Sequence, residues 1–357
     1  MAMNGQVEIP LLDEAEYDQI MMQTVLPALE QCKDEGWMEP AQAENLPVPP
    51  NEGSLHYVCY DFKRFEAGTS EKSPSSKGFK GAIVISHGFT EFAAKYSEMA
   101  WYFLQAGYSV CVFEHRGHGY SVRDVDDPSL VHIDDWHRYV EDLAKFASTV
   151  GRHMADGKPL YLFSHSMGGG IGAAVLEQHP TVFDKAVLSA PMIEPALGMP
   201  KWLAGFFGDI MSGLGFGERM VYAHESFTPE FDEALHVGAS QPRVRWFHKL
   251  RTENERYQTN AATYEWARQS VKISQYVMSE QACQNITTPV LLCQAGHDIW
   301  VMNPAQDKFV QRVRSAGGNI TKLQFPESLH EIFSMPNKTL QTYLKAVLSF
   351  YDEPIAE

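Results

Sequence analysis

Five short apolar runs, at 82–86, 108–113, 160–163, 186–188 and 290–293, set the tightest limit on how this 357-residue chain can fold. Each has the length of a strand and is apolar on both faces, so both must be covered. Helix-like segments lie between them. Residues 92–106 and 134–150 repeat apolar side chains at three and four spacing; 167–178 and 304–316 follow, and 338–351 closes the chain. Strand alternating with helix predicts an α/β protein, with a mostly parallel sheet covered by helices on both faces.

The alternation breaks between 192 and 284, which is rich in Gly, Met, Phe and Trp and has helical but no strand periodicity. This predicts a helical cap inserted into a core made of 51–191 and 285–357. Residues 1–50 read as an N-terminal extension: a helix over 14–30, then Leu46-Pro47-Val48-Pro49-Pro50, which stops regular structure. Residues 55–65 read as a strand and 70–81 as a Ser/Lys/Gly-rich loop.

Charge and cysteines narrow the function classes. With 29 Lys and Arg against 45 Asp and Glu, the net charge of −16 disfavours nucleic acid and anionic membrane surfaces as general partners. The 5 cysteines are odd in number and form no C-x-x-C. Cys59, Cys111 and Cys293 sit in apolar runs, so reduced, buried thiols in a cytoplasmic protein are expected. Acidic residues start at Glu8 and the first cation is Lys33, unlike a secretory leader. The nearest approach to a membrane span, 199–217, carries Lys201 and Asp209 and is broken by Gly and Pro.

The chemistry is most readable at Ser164-His165-Ser166-Met167-Gly168-Gly169, which ends one apolar run and opens a helix. A serine on such a turn projects its hydroxyl away from the chain, and small neighbours let the turn form. The helix N-terminus adds unpaired N–H groups, so the Met167 N–H is placed to donate to an oxyanion. Ser164 stands where the usual G-x-S-x-G pattern has glycine. A serine nucleophile needs an imidazole base, and the imidazole needs an acid to fix its tautomer. On sheets of this kind the acid precedes the base in the chain. Asp298 follows the run at 290–293, and after it the chain contains a single histidine, His330, between the short strand 320–325 and the last helix. Ser166, Asp298 and His330 are therefore the expected triad. His165, His297 and Asp307 are expected to be structural or surface groups. The run at 82–86 ends in His87-Gly88-Phe89, which makes the Phe89 N–H the second candidate oxyanion donor.

These motifs resemble the serine α/β-hydrolases, and Phe113-Glu114-His115-Arg116-Gly117-His118-Gly119-Tyr120-Ser121 is similar to the F-D-x-R-G-H-G-x-S loop of their monoacylglycerol lipase and lysophospholipase branch. Glu114 stands where that loop commonly has Asp. Glu91 with Lys95-Tyr96, the stretch 134–146, Arg256-Tyr257 and Thr263-Tyr264-Glu265-Trp266 extend the likeness, which covers about 55–350. The resemblance implies an eight-stranded sheet with a lid between strands six and seven. It assigns the triad to Ser166, Asp298 and His330 and the oxyanion N–H groups to Phe89 and Met167.

The expected activity is hydrolysis of a lysophospholipid acyl ester through an acyl-enzyme, needing no metal or organic cofactor. The alternatives are a monoacylglycerol lipase or general carboxylesterase and, from another class, a non-catalytic binding protein of this fold. Within the cap, Trp202, Phe206 and Phe207 are candidates to line an acyl tunnel, because Phe and Met suit flexible apolar ligands. The basic segment 241–256 offers Arg243 and Arg245 as candidates for a phosphate headgroup. Peripheral contact with the inner membrane face through the cap is a further expectation, and the oligomeric state stays open. No H-E-x-x-H, phosphate loop or G-x-G-x-x-G is present.

Overall fold

The computed structural model describes residues 9–42, 46, 48, 51–69, 78–198, 201–222 and 224–355. Residues 70–77 of the expected loop and the prolines at 47, 49 and 50 lie outside them. The strands are β1 (Lys33–Met38), β2 (Leu55–Tyr60), β3 (Gly81–Ser86), β4 (Tyr108–Phe113), β5 (Leu130–Val131), β6 (Leu160–His165), β7 (Lys185–Ser189), β8 (Ala261–Ala262), β9 (Val290–His297) and β10 (Ile320–Leu329). The main helices are α1 (Leu26–Cys32), α2 (Phe62–Thr69), α3 (Ser97–Gln105), α4 (His137–Phe146), α5 (Ser166–Gln178), α6 (Lys201–Gly213), α7 (Gln241–Glu253), α8 (Tyr264–Val277), α9 (Asn303–Ser315) and α10 (Asn337–Asp352).

Eight strands form one sheet in the order β1-β2-β4-β3-β6-β7-β9-β10. The β1/β2 and β2/β4 pairs are antiparallel and the rest parallel. Every residue of β3, β4, β6 and β7 is buried, which is why those runs are apolar at successive positions. Alternate side chains feed two cores. Val84, Leu162 and Leu188 pack with Val140 and Leu143 of α4, Ile171 of α5 and Phe309 of α9. Ile83, Ile85 and Phe163 pack with Phe103 of α3 and Leu344 and Val347 of α10. All five cysteines are buried and free. Among the described residues no helix is long and apolar enough to cross a membrane.

Two local readings are corrected. The segment after the first helix is an edge strand, β1, although its sequence Lys-Asp-Glu-Gly-Trp-Met carries three charges. Pairing with β2 holds it, and its exposed charged positions blunt a sheet edge. Ile9, Leu12, Tyr17, Met21, Val25 and Leu29 also join the second core, so residues 9–38 are built into the fold. The strand expected over 55–65 stops at Tyr60. Asp61 accepts the Arg64 N–H at 2.8 Å and the Phe65 N–H bonds its carbonyl at 3.0 Å, an N-cap that starts α2.

Between β7 and β9, the sixth and seventh strands of the main sheet, the chain forms α6, α7 and α8. The short β5/β8 pair ties this stretch to the loop after β4. Glycines let α6 lie against α8: a Cβ on Gly208 would meet Arg268 Cβ at 2.9 Å. Arg268 also pairs with Asp209 at 2.6 Å.

One core group is costly. Glu177 on α5 is buried, and among the described residues neither carboxyl oxygen has a hydrogen-bond partner. Burial raises its pKa well above the ordinary carboxylate range, so the folded protein holds it neutral. Below the unfolded pKa, about 4.3, both states are protonated and the group contributes no pH dependence. As pH rises past that value only the unfolded chain loses the proton, so stability falls. Glu177→Gln is expected to stabilise the fold by about 1–3 kcal/mol at pH 8 and by nothing measurable near pH 4. Melting curves at the two pH values check this; an equal gain at both would mean that the carboxyl does not titrate between them.

Candidate active site

The end of β6 and the start of α5 create the elbow. His165 is extended, and Ser166 has φ 52°, a left-handed backbone that a non-glycine residue adopts only under constraint. The constraint is tight packing. A Cβ on Gly168 would lie 2.2 Å from the Ser86 carbonyl oxygen, so only glycine lets α5 approach β3. Ser164 fits where glycine is usual because its Oγ donates to the Val187 carbonyl at 3.0 Å and Gly172 leaves room beside it.

Three strand ends bring Ser166, Asp298 and His330 together. His330 Nε2 lies 2.7 Å from Ser166 Oγ, and His330 Nδ1 lies 2.6 Å from Asp298 Oδ2. The Asp298 side chain is fully buried, and its other oxygen accepts the Trp300 and Val301 N–H groups at 2.9 and 3.0 Å. An acceptor at Nδ1 fixes the tautomer that carries hydrogen there, leaving the Nε2 lone pair for the serine hydroxyl. The arrangement is chemically able to make serine a nucleophile. Asp307 pairs with Lys322 at 2.5 Å on an exposed face, and His297 is exposed. His165 lies beneath the site with its ring 4.8 Å from that of His330, and burial lowers its pKa to about 4.

The loop after β3 faces the elbow. Gly88 donates its N–H to Glu91 Oε2 at 2.5 Å, and Thr90 has φ 62°, so the chain turns sharply at Phe89. The Phe89 ring packs on Trp266 of α8 at 4.4 Å. The Met167 N–H is in the first turn of α5, where helical N–H groups have no partner within the helix. Glu114 organises the neighbouring glycine-rich loop by accepting the Ala93 and Tyr120 N–H groups at 2.8 and 2.7 Å. Its longer side chain fits because Gly119 has no Cβ, which would sit 2.1 Å from the carboxylate.

A small apolar cleft lies beside the elbow, lined by Trp136 at the start of α4, Tyr139 of α4, Met167 and Ile171 of α5, and Trp266 and Ile273 of α8. None of these side chains is expected from the sequence to line the substrate's path, since their spacing reads as ordinary helix packing. The expected tunnel residues lie elsewhere. Phe206 and Phe207 are 56% and 47% exposed on α6, and the Trp202 side chain is outside the described residues.

The headgroup expectation is corrected at Arg243. That guanidinium is buried, grips Glu98 through Nε and Nη2 at 2.8–3.1 Å, and bonds Asn337 and the Met335 carbonyl. A guanidinium so committed has no fork left for a phosphate. Arg245 is exposed and pairs with Glu233 at 2.5 Å. Other basic groups bond neutral acceptors instead. Arg251 bonds the Tyr257 and Thr259 carbonyls and Asn260, and Arg123 bonds the Gly117, Gly119 and Arg256 carbonyls. Neither they nor Arg256 form an ion pair with a carboxylate among the described residues. Burial lowers the pKa of Arg123 and of Arg251 to about 10.

The chain is 28% identical to lysophospholipase L2 of Escherichia coli over 291 residues, 76% of this chain and 80% of that protein. It is 36% identical to the monoacylglycerol lipase of Mycolicibacterium smegmatis over 116 residues, 32% of this chain and 39% of that protein. A thermostable carboxyl esterase of Bacillus coagulans, solved with glycerol, shares the fold at a TM-score of 0.68 and 14% identity, covering 91% of this chain and 99% of that one. The Hydrolase_4 family model, described as serine aminopeptidase, S33, matches residues 77–337. With that match over most of its length, on an α/β-hydrolase sheet, this chain belongs to the serine aminopeptidase S33 family.

Proposed function

We propose that this protein hydrolyses the single acyl ester of lysophospholipids, with Ser166, His330 and Asp298 as its catalytic residues. The chemistry rests on the unbroken line Ser166–His330–Asp298, and the substrate class on the likeness to lysophospholipase L2 over four-fifths of that protein. His330 Nε2 takes the Ser166 proton as Oγ attacks the ester carbonyl. Asp298 holds the imidazole and offsets its positive charge. The Phe89 and Met167 N–H groups receive the oxyanion. His330 then returns the proton to the departing glycerophospho-alcohol, and a water deprotonated by His330 releases the fatty acid. The acyl chain enters the cleft lined by Trp136, Tyr139 and Trp266, each buried methylene adding about 0.8 kcal/mol.

Residues 192–284 act as the cap over this cleft. The exposed apolar groups Phe206, Phe207 and Ile210 on α6 and Leu214 just after it, with Ile299 and Trp300 beside Asp298, support contact with a lipid surface. The charge of −16 makes that contact apolar rather than electrostatic. The phosphate faces the exposed Arg256, which has no carboxylate partner among the described residues.

Fatty-acid release from lysophosphatidylcholine and monooleoylglycerol, measured side by side with Ser166→Ala as the blank, tests the reading. A higher kcat/KM on the phospholipid is expected. Arg256→Gln is expected to lower that value about fivefold, the loss of about 1 kcal/mol from an exposed charge, and to spare the glyceride. Preference for the glyceride would move the protein to a monoacylglycerol lipase, the reading favoured by the M. smegmatis relative.

A further inference from the structure

Behind the triad lies a buried charged cluster that the hydrolytic steps do not use. Lys95 Nζ sits 2.6 Å from Glu91 Oε1 and 2.6 Å from Glu331 Oε1. Its side chain is 4% exposed, and the ammonium also lies 4.1 Å from the centre of the Phe247 ring. Each carboxylate reaches a different loop of the site. Glu91 Oε2 accepts the Gly88 N–H at 2.5 Å and the Tyr96 hydroxyl at 2.6 Å, and Gly88 precedes Phe89. Glu331 follows His330 directly and accepts the Ser334 hydroxyl at 2.9 Å. His165, whose ring packs against His330, has Nε2 3.6 Å from Glu91 Oε1. One cation thus joins the loop after β3, the elbow and the histidine loop.

One nitrogen or oxygen from each of Glu91, His165 and Glu331 lies within 4.8 Å of the other two, a spacing that suits a bound cation. Lys95 already supplies that positive charge. Burial opposes ionisation of Glu91, yet Lys95 and the neighbouring donors hold its carboxyl below the ordinary range. Burial likewise opposes the charge on Lys95, and the two carboxylates prevail and raise its pKa. The cluster is therefore an ion triplet of fixed charge.

We propose that Lys95 is a positioning residue for the hydrolysis, whose ammonium, clamped between Glu91 and Glu331, sets the Phe89 N–H and the His330 ring in register across the reacting ester. The inference rests on the assignment of Phe89 and His330 above. It differs from a merely structural ion pair in what it predicts. A structural pair affects how much enzyme is folded; a positioning residue affects the rate of folded enzyme, because oxyanion donors act only when aimed at the place where charge develops. Substrate binding, made through cleft and headgroup, is left alone.

The test uses the full chain and p-nitrophenyl butyrate, a short soluble ester, so that a wrong lysophospholipid assignment leaves it intact. Ser166→Ala is the blank; undiminished hydrolysis there would show failure of the triad assignment instead. Lys95→Met is expected to lower kcat of folded enzyme about 10- to 100-fold with KM within about twofold. The rate of fluorophosphonate labelling is expected to fall by the same factor, and Lys95→Arg, which keeps the charge, to recover most of it. Removing a buried cation also strains folding, so Tyr96→Phe is the second variant. It deletes the hydroxyl that bonds the Glu91 oxygen holding Gly88 and that meets the Gly88 N–H itself, and is expected to lower kcat about three- to tenfold at an unchanged melting temperature. Tyr96→Phe with wild-type kcat, or a Lys95→Met deficit accounted for by unfolded protein or not relieved in Lys95→Arg, overturns the proposal.

Discussion

Ser166→Ala is expected to reduce ester hydrolysis about 10⁵- to 10⁶-fold, the range seen when a triad nucleophile is removed. The residual rate reflects whatever the oxyanion N–H groups and substrate binding accomplish alone. Asp298→Asn is expected to cost about 10⁴-fold for a different reason. Asp298 Oδ1 is already occupied by the Trp300 and Val301 N–H groups, so an asparagine keeps its oxygen there and turns its NH₂ toward His330 Nδ1. The imidazole must then carry its hydrogen on Nε2, where it can no longer accept from Ser166. Single-turnover kinetics with a chromogenic ester distinguish the two variants. Ser166→Ala forms no acyl-enzyme, whereas Asp298→Asn forms it slowly. An Asp298→Asn enzyme within tenfold of wild type would remove Asp298 from the assigned role.

The second large effect is on stability. Arg243→Met is expected to destabilise the fold by about 3–5 kcal/mol, because Glu98 would be left buried with no cation beside it. Tyr17 and Tyr102 donate their hydroxyls to that carboxylate at 2.8 and 2.7 Å, and among the described residues these two bonds would remain. The loss should show as a lower denaturant midpoint at unchanged slope. Glu98→Gln with Arg243→Met should recover part of it, since the double variant leaves no bare charge. The ratio of kcat/KM on lysophosphatidylcholine to that on monooleoylglycerol is expected to stay at the wild-type value in Arg243→Met. A collapse of that ratio would return Arg243 to substrate binding.

The sheet could be read from the sequence because its central strands are buried on both faces and so write their position as continuous apolar runs. The meeting of Ser166, Asp298 and His330 could be read because a serine elbow, an acid after one strand and the last histidine follow a fixed order along the chain. The edge strand β1 could not. Only its partner makes Lys33–Met38 a strand, and exposed edges favour the charged residues that hide strand character. Arg243 misled for a related reason. A run of cations looks like surface until a distant carboxylate, here Glu98, claims one of them. The Lys95 cluster is invisible on the same grounds: Glu91 and Glu331 are 240 positions apart in the chain. The apolar cleft beside Met167 escaped notice because a pocket lined by Trp, Tyr and Ile has the same composition as packed core.

The packing of the first residues against the last helix bears on how the chain is made. Glu14 accepts the Asn337 N–H at 2.9 Å and the Ser240 hydroxyl at 2.5 Å, while the Leu12 carbonyl accepts from Asn337 Nδ2 at 2.9 Å. Residues emerging early from the ribosome therefore wait for one of the last segments before they can dock. Until then α7 lacks this tether, and Ile9, Leu12 and Tyr17 have no finished surface to cover. Nascent chains halted before Asn337 should accordingly be captured by chaperones and cut by protease near α7, and both sensitivities should vanish together once α10 has been synthesised.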